Sequence, residues 1–286
     1  MELRLRERRK QALLGLLLVL PSFLVTVVVV VFPIVDSVFL SLTEGDTGVF
    51  TWGNFQALFA DPAARSDIAF TLQVVGATVV LTLGLAYALS YYMTFSTSRG
   101  AALLSQVYQI PLFIPGIVAV YALIALIRDT GALNRFVHLF GADFKPGLMY
   151  TGTGIVLVNL WFNVPFAAMI IGATLGGIPR SLLEAARDVG AGRVTIFLKV
   201  VFPLSAKSSL VAALFVFMNN VSEFTTPFLM GSNSPHMLGV ALYQKFAVFH
   251  DQNGAAALSV FLFALSSVAG GVYIHSMMKE DRWRGQ

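Results

Sequence analysis

Cysteine is absent, and charge is scarce: Asp, Glu, Lys and Arg make up 12% of the 286 residues, about half the roughly 25% of an ordinary soluble domain. Without cysteine there is no disulfide framework, no thiolate metal site and no cysteine nucleophile. Low charge, 57% hydrophobic residues and a mean hydropathy of +0.77 exclude a soluble globular enzyme and a disordered chain, since disorder needs low hydrophobicity and high charge. No G-x-x-x-x-G-K-[ST] loop cradles phosphate and no H-E-x-x-H holds zinc. His138, His236, His250 and His275 are scattered without metal-ligand spacing. Gly152 and Gly154 form a G-x-G that lacks its third glycine and reads as a flexible start to a helix. Asn220-Val221-Ser222 matches a glycosylation acceptor but lies within an apolar run.

What the chain does have is long apolar runs. A membrane-crossing helix needs about 20 mostly apolar residues for a hydrocarbon core of about 30 Å. Six stretches qualify, at about 12–40, 68–95, 103–127, 152–178, 208–231 and 255–278. The first follows a basic start but is far longer than the 7–15-residue core of a signal peptide, and no small-residue cleavage site follows it, so it reads as a retained anchor. Pro111, Pro115 and Pro165 predict kinks inside spans. Trp52, Phe55, Leu58 and Phe59 predict a short interfacial helix in the first loop. No tandem repeat at a fixed period is present, and the chain reads as one all-α membrane domain over 1–286.

Basic residues set the expected orientation. One side of the alternation carries Arg4, Arg6, Arg8, Arg9 and Lys10, then Arg99, then Arg180, Arg187, Arg193, Lys199 and Lys207, then Lys279, Arg282 and Arg284. The other carries only Arg65, Arg128, Arg135, Lys145 and Lys245. Positive charge favours the cytoplasm, which predicts both termini inside. The sequence pI of about 9.4 is therefore a matter of topology, and no aromatic-plus-basic pattern points to nucleic acid.

The predicted cytoplasmic loop, 179–207, carries the densest pattern. Ser181 and Glu184 have capping-box spacing. Leu182, Ala185, Ala186 and Val189 recur at i, i+3, i+4 and i+7, which puts one small apolar face on a short helix. Gly190 and Gly192 are placed to end it, and Arg193–Phe202 forms a second amphipathic piece that Pro203 is expected to stop. A helix lying in the lipid interface usually shows large apolar residues and Trp or Phe; alanine dominates here and suits close docking into a protein groove.

This loop resembles the EAA motif of permease subunits of type I ABC importers, whose pattern is E-A-A, three residues, G, nine residues, I-x-L-P. Glu184, Ala185, Ala186 and Gly190 match it, with Val200 and Phe202-Pro203 where Ile and Leu-Pro are usual. The resemblance extends over the chain through six spans, a basic start and a G-x-N-F-like Gly53-Asn54-Phe55. It implies the type I importer permease fold in a cell inner membrane. It implies that Arg180–Val189 is a coupling helix seated in a separate ATPase, with Glu184, Ala185, Ala186, Asp188, Gly190 and Pro203 as the coupling set. The implied partners are an ABC ATPase dimer, a second permease subunit, an extracytoplasmic solute-binding protein and the lipid bilayer. No cofactor is expected in this chain, because ATP and Mg would be bound by the ATPase.

Polar residues inside spans are costly and tend to face cavities or neighbouring helices. On a continuous fifth helix, Asn219, Ser222, Glu223 and Thr226 would share one arc, and Asn159 and Asn163 form an i, i+4 pair on the fourth. These six are the substrate-path candidates; the alternative for each is interhelical or intersubunit hydrogen bonding. The segment Ser222–Gly231 resembles that of spermidine/putrescine-type permeases, a group that includes iron(III) and phosphonate systems. A polyamine-type or related small polar solute is the first expectation, and a sugar-type importer permease the alternative. An ion-gradient-driven transporter is a further alternative, although the internal repeats and matching broken helices of such proteins are not evident. A membrane-embedded enzyme would need a metal or nucleophile cluster that the sequence lacks.

Overall fold

The structure, a computed structural model, describes residues 2–231 and 234–284, with side chains for 13–45, 47–231 and 234–276. The basic tail residues Arg4, Arg6, Arg8, Arg9, Lys10, Lys279, Arg282 and Arg284 lie outside the described side chains.

The chain is helical almost throughout. It opens with α1 (Glu2–Thr26), a π turn (Val27–Val31) and α2 (Phe32–Ser41). A two-residue hairpin follows, β1 (Thr43–Glu44) antiparallel to β2 (Val49–Phe50), and then α3 (Gly53–Ala60), the short helix predicted for the first loop. After it come α4 (Pro62–Phe95), α5 (Arg99–Val107), a 3-10 turn (Ile110–Phe113), α6 (Gly116–Ile127) and α7 (Ala132–His138). The second half holds α8 (Gly152–Gly176), α9 (Arg180–Asp188), α10 (Arg193–Ile196), a π turn (Phe197–Val201) and α11 (Phe202–Val221). It closes with α12 (Thr225–Met230), α13 (Leu238–Tyr243), a π turn (Gln244–Val248) and α14 (Gln252–Arg284).

Among the described residues, six helical segments are long and apolar enough to cross a membrane: Leu13–Ser41, Pro62–Phe95, Gly116–His138, Gly152–Gly176, Arg193–Val221 and Gln252–Ser276. The number agrees with the sequence expectation, but the third and fifth spans are displaced at both ends. The predicted third span, 103–127, is broken: Pro111 and Pro115 withhold amide donors, Pro115 is extended (φ −53°, ψ 132°), and the helix restarts at Gly116. The fifth span begins at Arg193, not at 208, because Pro203 does not stop the helix. The π turn just before it, closed by Phe202 N–H donating to Phe197 O, absorbs the register change that a missing proline donor requires. The loop between the fourth and fifth spans is correspondingly shorter than 179–207.

Contacts group the chain into two compact units, Asp61–Gln244 with Leu262–Gln286, and Met1–Ala60 with Lys245–Phe261. In the larger unit α4, α8 and α11 pack together on small residues. Ala86, Ala167, Ala168 and Ala212 are fully buried beside Ile171 and Leu175, which lets backbones approach where hydrocarbon gives helices no hydrophobic reason to associate. Hydrogen bonds reinforce that packing. Ser90 Oγ donates to Ala168 O at 2.9 Å, and the Tyr87 hydroxyl bonds Ser205 Oγ at 2.9 Å and Ser209 Oγ. Gly154 sits where an added Cβ would lie 2.1 Å from Leu148 O and 2.6 Å from Met230 Cε, so this glycine serves close approach rather than a flexible helix start. Asp61 caps α4, accepting from Ala63 N–H at 2.9 Å.

In the smaller unit two asparagines hold the turn after α2. Asn54 Nδ2 donates to Ser41 O and Thr43 O at 3.0 and 2.8 Å, and Asn253 Nδ2 donates to Leu40 O and Thr43 O at 2.9 and 2.8 Å. The Gly53-Asn54-Phe55 segment thus has a structural use, the satisfaction of carbonyls freed where α2 ends.

Candidate functional site

The first site is α9. Pro179 is extended (φ −60°, ψ 131°) and the helix starts on the next residue, so Ser181 lies inside it and no side chain caps the start. The capping box expected from Ser181 and Glu184 is therefore not formed. At the C-terminal end Gly190 stops the helix as expected, while Gly192 instead precedes the start of α10. Gly190 takes φ +81°, its N–H donates to Arg187 O at 2.8 Å, and Ala191 N–H donates to Ala186 O at 3.0 Å. These two bonds are the Schellman pair, and glycine is favoured there because a left-handed residue carrying a Cβ is strained.

Leu183 anchors α9, 6% exposed in a cluster with Leu175, Ile178 and Ile196, against which Ala186 also packs. The predicted small face is divided: Ala186 turns inward, whereas Leu182 is 42% exposed, Val189 83%, and Ala185 is open to solvent. Glu184 and Asp188 are exposed beside it. The short helix is thus fastened by Leu183 and Ala186 and exposes an apolar strip of Leu182, Ala185 and Val189, with Glu184 and Asp188 together on the adjoining face. Pro203 lies apart from this strip, within α11.

The second site is a cavity of about 240 Å³ lined by Gly116, Asn159, Asn163, Asn219, Asn220, Glu223, Thr225 and Thr226, together with Val120 and Phe162. Five of the six path candidates meet there; Ser222 is exposed and does not line it. They meet for a different reason than a shared helix arc. The helix breaks at Ser222 (φ −106°, ψ 12°), and Glu223 Oε1 accepts from Thr226 N–H at 2.9 Å to start α12. Pro227 accounts for the break, since proline is tolerated only in the first turn of a helix. The cavity wall is completed by Gly116, at the point where the third span restarts after Pro115.

Two of the amides are tied to each other. Asn220 Nδ2 donates to Asn163 Oδ1 at 3.1 Å and to Val216 O at 2.7 Å, while Asn163 Nδ2 donates to Asn159 O at 2.7 Å. Asn220 was adjacent to the predicted arc but outside it, and the i, i+4 pair Asn159/Asn163 was the sequence signal that could have found its partner. Asn159 is 3% exposed, and its Nδ2 has no hydrogen-bond partner. A buried amide donor left open costs roughly 1–3 kcal/mol. Glu223 keeps one oxygen beyond the one that caps α12. Among the described residues no group of His, Asp and Glu has the makings of a metal site.

Residues 81–276 match the family model described as binding-protein-dependent transport system inner membrane component. The sulfoquinovosyl glycerol transport system permease protein SmoG of Agrobacterium fabrum is 27% identical over 289 residues, 94% of this chain and 92% of its own. The trehalose transport system permease protein SugA of Mycobacterium tuberculosis is 28% identical over 282 residues, 95% of this chain and 89% of its own. The spermidine/putrescine transport system permease protein PotB of Escherichia coli is 24% identical over 215 residues, 75% of this chain and 78% of its own. Among solved structures, a chain of a bacterial ABC transporter involved in import of the acidic polysaccharide alginate superposes with a TM-score of 0.75 at 16% identity, covering 98% of this chain and 99% of that one.

Proposed function

The chain belongs to the family of binding-protein-dependent transport system inner membrane components, and from that premise we propose that it is the permease of a sugar-type importer, with the amide-lined cavity as part of the solute path. It is a multi-pass inner-membrane ABC importer permease subunit and not an enzyme. The observation that carries the solute class is the chemistry of the cavity: four asparagines and two threonines against one carboxylate, itself half-used as a helix cap. Such a lining offers donors and acceptors to a polyhydroxylated neutral solute. A polyamine would call for several unpaired carboxylates. The relatives covering nearly the whole chain are named for sulfoquinovosyl glycerol and trehalose, and PotB, named for spermidine and putrescine, covers less of it. The polyamine expectation therefore gives way to the sugar alternative.

In this reading α9 docks its exposed strip into a separate ATPase dimer, which supplies ATP and Mg. Glu184 and Asp188 adjoin the contact, Ala185 allows close approach, and Gly190 fixes the turn. A second permease subunit completes the pathway, a solute-binding protein delivers to the outer side, and both termini are cytoplasmic as the basic loops indicate. The test is uptake by the assembled transporter in proteoliposomes, using labelled neutral di- and trisaccharides with spermidine as rival. ATP-dependent accumulation of a sugar, unaffected by spermidine and weakened about 2–10-fold in apparent affinity by Asn159→Ala, is expected from the loss of one hydrogen bond. Spermidine accumulation with no sugar transported would overturn the solute class.

A further inference from the structure

Helix α4 contributes none of the described residues that line the amide cavity, yet two of its side chains hold the backbone that leads to it. Asp67 and Thr71, one helical turn apart, are 9% and 0% exposed. Asp67 Oδ1 accepts from His236 N–H at 2.7 Å. Thr71 Oγ1 accepts from Leu238 N–H at 2.9 Å and donates to Asp67 O at 2.8 Å. Leu238 is the first residue of α13, and its N-cap, Met237, makes no side-chain capping bond. The opening amides of a helix have no partner within it, so Thr71 supplies from another helix the cap that α13 lacks.

The backbone held in this way runs on to the cavity wall. Gly239, next in the chain, is pressed against the break that follows α11: a Cβ there would lie 2.5 Å from Glu223 O and 3.0 Å from Ser222 O. At the other end of α13, the Tyr243 ring packs against Phe224 and Phe228, at 5.2 and 5.5 Å. Glu223 in turn caps α12 through Thr226 N–H, and Glu223, Thr225 and Thr226 all line the cavity. Because the helix ends at Ser222, α11 alone does not fix where this wall stands, and α13 braces it from the side of α4.

We propose that Asp67 and Thr71 are positioning residues of the solute path, setting the Glu223–Thr226 wall of the amide cavity through Gly239. The assignment rests on the reading of that cavity as part of the path. Asparagine at 67 or serine at 71 still offers an acceptor oxygen, whereas leucine or valine leaves a buried N–H open, which costs more than a bond merely exchanged for water.

The test compares variants of the assembled transporter in proteoliposomes. It reads labelled neutral disaccharide taken up per ATP hydrolysed, a ratio that does not depend on how much of the protein is folded. Asp67→Leu and Thr71→Val should each lower the ratio about 3–10-fold, while Asp67→Asn and Thr71→Ser should stay within about twofold of wild type. Ser90→Ala removes another buried bond from α4 to backbone, that to Ala168 O; it should lower the thermal midpoint and leave the ratio unchanged. Hydrogen exchange over 223–230, which needs no solute, should quicken in Asp67→Leu and Thr71→Val and not in Ser90→Ala. Should wild type carry spermidine instead of a sugar, the same ratio is read with spermidine, so the sugar reading falls without deciding this one. Wild-type uptake ratio and exchange in Thr71→Val, or equal losses in Asp67→Asn and Asp67→Leu, would overturn the positioning role.

Discussion

Gly190 offers the sharpest test of α9 as a mechanical part. Its φ of +81° closes the helix through two hydrogen bonds, and an added Cβ would meet nothing within 4 Å. A substitution there acts on backbone conformation alone. A non-glycine residue in the left-handed region costs roughly 1–2 kcal/mol, a factor of about 5–30 in a local equilibrium. Leu183 is the one buried residue of α9, with Ala186 partly buried beside it, so little else in the helix resists that cost. Asparagine adopts the left-handed region readily, alanine less so, and a β-branched residue hardly at all. The series Gly190→Asn, Gly190→Ala, Gly190→Val should therefore lower solute transported per ATP hydrolysed in that order: less than about threefold for Asn, and about 5–30-fold for Ala on the conversion above. Insertion into the membrane should be unchanged throughout. The assay is paired measurement of uptake and ATP hydrolysis in proteoliposomes, with hydrogen exchange across 180–192 to follow the hairpin. If Val couples as well as wild type, or Asn is as impaired as Val, the conformational argument fails.

Three further outcomes follow from the packing. Gly154→Ala should destabilise the permease by about 1–3 kcal/mol, the usual cost of overpacking, because its Cβ falls on Leu148 O and Met230 Cε; an unshifted thermal midpoint would contradict the close-approach reading. Asn163→Ala and Asn220→Ala, combined in a double-mutant cycle followed by unfolding in detergent, should show a coupling of about 0.6–1.7 kcal/mol, whereas strict additivity would mean the amides are not paired. Tyr87→Phe should cost about 1 kcal/mol by removing the hydroxyl that joins Ser205 and Ser209. Tyr87→Ala should cost about 3–5 kcal/mol, and equal losses in the two variants would assign the whole effect to the hydroxyl.

Periodic and local features were legible from residues alone. Long apolar runs specify membrane helices because an unpaired backbone cannot sit in hydrocarbon, and α9 with its Gly190 terminus reads directly from alanine spacing and a glycine stop. Where inference from sequence went astray, proline was the usual cause. Pro203 looks like a stop, yet the preceding π turn carries the helix through it, and Pro227 interrupts what looks like one continuous polar face. The expected capping box failed because Pro179 sets the helix start two residues too early for Ser181 to act as the cap.

Chain chemistry by itself thus determined a membrane protein with six spans and a small alanine-faced hairpin, because hydropathy and helical periodicity are properties of neighbours in sequence. Only the tertiary structure decided that Asn163 and Asn220, 57 residues apart, share a hydrogen bond, that Asn159 keeps an open donor, and that Gly116 closes the same cavity. Those relations depend on how broken helices meet across the bundle, and a polar side chain within a span looks the same in sequence whether it binds a neighbour or faces a hollow.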